Sequence, residues 1–142
     1  MGILMLWGPL LVLLGIATYT DLKWRIIPDK LVLAGLTYYL LLRLFYADQP
    51  YVYYLLGIVT GSGLLYVISL IVRGAFGGGD IKLMAVIGVA LGVQLTLIFL
   101  IFMLAGAFLY SLIFIRRSKG IKIPLAPFFL MSSILIFIIL RL

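Results

Sequence analysis

Between Lys82 and Arg116 the chain runs for 33 residues, Leu83 to Ile115, without a charged side chain. As one helix it would extend about 50 Å at ~1.5 Å per residue, against a bilayer hydrocarbon core of about 30 Å. The run therefore calls for a membrane and also for a break within it. Gly92-Val93-Gln94, where a glycine and a polar amide fall together, is the place for that break. It predicts a short segment from about Ile81 to Leu91 and a longer one from about Leu95 to Ile115.

Four further apolar segments surround this run: about Ile3 to Thr20, Pro28 to Tyr46, Tyr51 to Val72 and Pro124 to Leu140. The expectation is an all-α polytopic membrane protein of six transmembrane helices with a short fourth helix, forming a single integral-membrane domain over residues 1–142. Composition agrees. Only 11% of the residues are charged, less than half the roughly 25% of a soluble domain. Met1 to Trp7 carries no basic residue, so the first segment is expected to remain as a span rather than to be cleaved as a secretory signal.

The net charge of +7 does not point to nucleic acid, because the basic residues occupy the short gaps between segments. With the N-terminus outside, nine of them fall on the inner side (Lys23, Arg25, Lys30, Arg73, Lys82, Arg116, Arg117, Lys119, Lys122) and two outside (Arg43, Arg141). By the positive-inside rule this places both termini outside the cytoplasmic membrane. Tyr46, Tyr51, Tyr53 and Tyr54 then read as part of an outer aromatic belt and Trp24 as an inner one.

The reactive inventory is small. There is no cysteine and no histidine, which excludes a thiol nucleophile, a Ser-His-Asp triad and a Cys/His zinc site. The four acidic residues are all aspartates, Asp21, Asp29, Asp48 and Asp80; they could still hold a cation, but their spacing gives this only weak support. No cofactor is expected.

Asp80 closes the run Gly77-Gly78-Gly79 between two membrane-grade segments, and a carboxylate beside hydrocarbon is costly enough to be read as functional. A fourth segment of about 11 residues spans only about 17 Å, which would set Asp80 inside the cytoplasmic leaflet. Irregular backbone at that depth is tolerated only when buried in protein or lining a wet cavity, and the glycine run is read as implying a water-accessible pocket. The glycines would let a backbone approach closely or adopt positive φ. Asp21 ends the first segment on the same face, so Asp21 and Asp80 form a candidate acid–base pair. Lys82, Lys23 and Arg25 are candidates for substrate contact or for tuning the pair, with a topological role as the alternative. Asp29 suits the first turn of a helix, and Asp48 a turn on the opposite side. Gly57-xxx-Gly61 and Gly88-xxx-Gly92 fit close helix packing, and Ser132 and Ser133 are expected to bond neighbouring backbone. A small transporter or channel with Asp21 and Asp80 as ion or proton sites, or a noncatalytic assembly partner, also fits these features.

Gly77-Gly78-Gly79-Asp80-Ile81-Lys82-Leu83 resembles the GxGD signature of the type IV prepilin peptidases. Thr20-Asp21-Leu22-Lys23-Trp24-Arg25-Ile26-Ile27-Pro28 is similar to that family's first-aspartate motif, and Ile123-Pro124-Leu125-Ala126-Pro127-Phe128 to its late proline-rich signature, with Leu125 where phenylalanine is commoner. The three motifs, in order, cover essentially the whole chain. The resemblance implies a membrane aspartyl protease with Asp21 and Asp80 as the catalytic pair. It would cleave the basic leader from type IV pilin-like or archaellin-like precursors, whose hydrophobic helix lies in the bilayer, at the cytoplasmic face. The chain lacks the paired Cys-x-x-Cys insertion of the longer members, so peptidase activity without N-methyltransferase activity is expected. Archaeal preflagellin peptidases and the peptidases of tight-adherence pilus systems, which it resembles, are similarly short.

Overall fold

A computed structural model describes residues 3–73, 75–114 and 124–142. The expected basic loop Arg116 to Lys122, and Gly74 before the glycine run, lie outside them. Five helices follow one another: α1 (Ile3–Trp24), α2 (Asp29–Phe45), α3 (Tyr51–Ile71), α4 (Gly78–Phe114) and α5 (Ala126–Arg141). Among the described residues there is no strand. α1, α3 and α4 are long and apolar enough to cross a membrane, and α5 is a shorter apolar helix.

Local chemistry sets the boundaries. Pro28 and Pro50 are the N-caps of α2 and α3, with φ of −63° and −52°; proline lacks an N–H that the first turn would leave unpaired anyway. α1 continues a turn beyond the expected end at Thr20, so Asp21 is a helical residue. The Arg25 N–H still reaches the Asp21 carbonyl at 2.9 Å. Arg25 itself stops the helix in the left-handed region, with φ of 54°. That conformation usually falls to glycine or asparagine at a helix end, and it strains a residue with a Cβ.

The predicted break in the uncharged run is present. α4 is interrupted at Gly92, whose φ of 76° and ψ of 178° belong to a region that only glycine enters readily. The arm before the break, residues 78–91, is about 21 Å long. From Leu83 to Gly92 every residue is buried, so this arm is the central column of the bundle. α3 crosses it in backbone contact: a Cβ on Gly57 would fall inside the Gly88 carbonyl, and one on Gly88 inside that of Gly57. Gly61 lies against Met84 and Thr96. The small-residue spacing thus does what helix packing in lipid requires of it.

A helix break leaves carbonyls and N–H groups without intrahelical partners. Here they are met from α2 and α3. The Arg43 guanidinium donates to the Ala90 carbonyl, and the Gln94 N–H donates to the Tyr53 hydroxyl at 3.1 Å. Arg43 also lies over the Tyr54 ring, 4.2 Å from its centroid, and 3.7 Å from Asp48. This corrects the sequence reading of two tyrosines. Tyr54 is buried and Tyr53 half-buried, both engaged at the break rather than in an exposed belt. Arg43, expected only as an outer charge, is 4% exposed.

Candidate active site

The three motifs singled out in the sequence converge at the opposite end from Arg43. Ile27, just before α2, is buried and packs on the glycine run: a Cβ on Gly79 would stand 3.1 Å from the Ile27 Cβ. This contact brings the segment after Asp21 against the segment before Asp80. The start of α5 closes the third side, where the Ala126 N–H donates to Asp21 Oδ2 at 3.1 Å.

Asp21 is buried, 9% exposed. Asp80 is half-buried and falls in the first turn of α4. Its Oδ2 accepts the Gly77 N–H at 3.3 Å, the reciprocal bond of a capping box, in which a side chain in the first turn satisfies the N–H just before the helix. Its Oδ1 is buried and has no hydrogen-bond partner among the described residues. A buried, unpartnered carboxylate oxygen costs free energy unless some group or proton meets it. The contact of Ile27 with Gly79 carries the end of α1 and the start of α4, and with them Asp21 and Asp80, to the same end of the bundle.

The glycine run differs from expectation in one respect. Neither Gly77, Gly78 nor Gly79 has positive φ; among the described glycines only Gly92 does. At Gly77 and Gly78 the role is openness, whereas Gly79 packs on Ile27. Gly77 and Gly78 are exposed. A Cβ on Gly78 would meet nothing within 4 Å, and one on Gly77 only the Asp80 Oδ2 at 3.4 Å.

Lys82 Nζ lies 2.8 Å from Asp29 Oδ1, tying the start of α4 to the start of α2, with both side chains more than half exposed. Asp29 is the first residue of α2, where a carboxylate favours the helix dipole. Lys23 folds back along α1, its ammonium 4.6 Å from the Trp24 ring centroid and 3.2 Å from the Tyr19 hydroxyl. Beside the pair lies a groove of about 370 Å³ lined by Asp29, Lys30, Val32, Leu33, Leu36 and Lys82. Its α2 residues recur at the spacing of one helix face, charged at the site end and aliphatic beyond. Asp48 stands at the other end, beside Arg43. Ser132 and Ser133 are buried, and the Ser133 hydroxyl has no partner among the described residues.

Sequence reasoning missed Thr18, whose hydroxyl is 3.1 Å from the Ala126 carbonyl, and the backbone of Ala126. A backbone donor has no signature in residue type. The one available signal was Pro127, which removes the next N–H along the helix.

Fold and site together define an all-helical membrane protein that gathers two carboxylates and a glycine-rich turn at one end of its bundle. The chain belongs to the type IV leader peptidase family, whose sequence profile matches residues 9–140. A relative from Bacillus subtilis (strain 168), a prepilin leader peptidase/N-methyltransferase, is 37% identical over 137 residues, covering 89% of this chain. The chain spans about half that relative's length, 52%. No solved structure matches it.

Proposed function

We propose that this chain is an aspartic endopeptidase that removes the basic leader from type IV pilin-like or archaellin-like precursors, with Asp21 and Asp80 as the catalytic pair. The observation that carries this reading is the packing of Ile27 on Gly79, which draws the ends of α1 and α4 with their two aspartates to one place, with Asp80 Oδ1 buried and unpartnered among the described residues. Two carboxylates in one poorly solvated site hold a proton between them more readily than they both ionise. The ionised member takes a proton from water as the water oxygen bonds to the scissile carbonyl carbon, while the protonated member donates to the developing oxyanion. Collapse of the tetrahedral intermediate breaks the C–N bond, and the departing amine takes a proton from the pair.

The exposed backbone at Gly77 and Gly78 leaves room for an extended substrate strand. The groove along α2 suits the apolar stretch following the cut. Counting the arms of α4 on either side of Gly92 separately, the helices alternate through the bilayer as six spans. The lysines and arginines of the site end put that end at the cytoplasmic face. N-methyltransferase activity, named for the longer relative, is not part of this proposal.

The test is cleavage of a prepilin-like precursor by purified full-length protein. Asp21→Asn and Asp80→Asn are each expected to lower turnover by about a hundredfold to ten-thousandfold, with the amount of folded protein unchanged. Near wild-type cleavage by either variant would remove that residue from the site. A transporter or channel would leave the precursor uncut.

A further inference from the structure

α1 presents Thr18 and Asp21 three residues apart, on one helix face. The residue they both meet is Ala126, the first of α5, which is fully buried. Its N–H is bonded to Asp21 Oδ2 and its carbonyl to the Thr18 hydroxyl, each at 3.1 Å. The Thr18 hydroxyl also lies 2.7 Å from the Leu14 carbonyl on its own helix, so its single proton is shared between two acceptors.

The N–H groups of the first turn of α5 are all accounted for. Phe128 and Phe129 both donate to the Leu125 carbonyl, at 2.9 and 3.3 Å. Pro127 has no N–H. Ala126 therefore holds the one donor in this turn that points out of α5, and Asp21 receives it. A flexible carboxylate would otherwise rotate about its terminal torsion, which is broad and roughly two-fold.

We infer that Thr18 and the Ala126-Pro127 backbone form a clamp that positions the Asp21 carboxylate for catalysis. It engages Oδ2 and leaves Oδ1 as the oxygen that works with Asp80. Thr18 is thus a positioning residue: it holds Ala126, and Ala126 holds Asp21. The assignment rests on the proteolytic role proposed above for Asp21. It also gives the late Pro-Leu-Ala-Pro segment a defined task, since a proline at position 127 keeps a second donor from competing for the carboxylate.

The test compares kcat and KM for Thr18→Val, which keeps the shape and deletes the hydroxyl, with Thr18→Ser, which keeps the hydroxyl. Both are measured per folded molecule on a prepilin-like precursor. Misplacing a catalytic group by about 1 Å can cost on the order of a hundredfold, so Thr18→Val is expected to lower kcat about ten- to a hundredfold with KM within about twofold. Thr18→Ser is expected to recover most of that loss. Wild-type kcat in Thr18→Val overturns the clamp, as does a loss that falls on KM or that serine does not rescue. Asp21→Asn run beside them separates the two claims. If it is inactive while Thr18→Val is fully active, only the clamp fails; if Asp21→Asn cleaves normally, the proteolytic role of Asp21 fails.

Discussion

The two ends of this bundle are built from the same parts and put them to opposite use. Each has a buried charged side chain, a helix terminus and a glycine. At the Arg43 end the side chain is enclosed, 4% exposed, although its Nε and Nη1 have no hydrogen-bond partner among the described residues. The guanidinium lies against the Ala90 carbonyl and the Tyr54 ring, and a Cβ on Gly92 would fall inside the Tyr53 ring. At the Asp21–Asp80 end Gly77 and Gly78 face open space and the unpartnered atom is a carboxylate oxygen, Asp80 Oδ1. A charge at a helix terminus stabilises a fold when its neighbours fill in around it. When they leave space instead, the same charge is available for chemistry.

The largest effect after loss of the aspartates should come from Arg43. Arg43→Met removes a charged hydrogen bond to a helix-end carbonyl and a cation–π contact, together about 2–4 kcal/mol. The yield of monodisperse protein and its thermal midpoint in detergent should fall, with cleavage per folded molecule near wild type. Normal stability with lost turnover would break the comparison by making the far end part of the reaction.

The glycines sharpen it. Gly92→Ala must enter a backbone region costing about 1–3 kcal/mol and also displace Tyr53, so it should reduce folded protein. Gly78→Ala enters open space and should change stability by no more than about 0.5 kcal/mol. Gly79→Val presses on Ile27, 3.1 Å from where the new Cβ would stand. It should lose cleavage per folded molecule and also some folded protein, less than Gly92→Ala does. Equal folding losses at Gly92 and Gly78 would erase the distinction between a packing glycine and an access glycine.

The smallest effect is expected at Lys82. Its pair with Asp29 is 2.8 Å long but largely exposed, and such pairs contribute about 0–1 kcal/mol and weaken with salt. Lys82→Met should leave stability almost unchanged, as read by thermal denaturation at low and high ionic strength. A tenfold loss of turnover would instead make Lys82 a substrate contact.

Much of the architecture was legible because a bilayer tolerates few solutions. An uncharged run too long for one span had to break, and Gly92 was where it could. The prolines before α2 and α3 and the paired glycines of α3 and α4 were readable for similar reasons, since each is a local rule about backbone or contact distance. For the run Gly77 to Gly79 the residue type left close approach and positive φ both open, and only the first applies. Openness and left-handed backbone both favour glycine, and the residue type alone does not separate them.

By itself, then, the sequence determined the membrane setting, the helix order, the break and the two aspartates that stand out against an apolar background. Those follow from composition and spacing, which act along the chain. Only the tertiary structure decided that Arg43 is an interior clamp, that Tyr54 is buried, and that a backbone N–H from α5 meets Asp21 across 105 residues of sequence. Such contacts depend on how helices dock, and the groups that make them, a carbonyl or an N–H, are present in nearly every residue and carry no mark in the sequence.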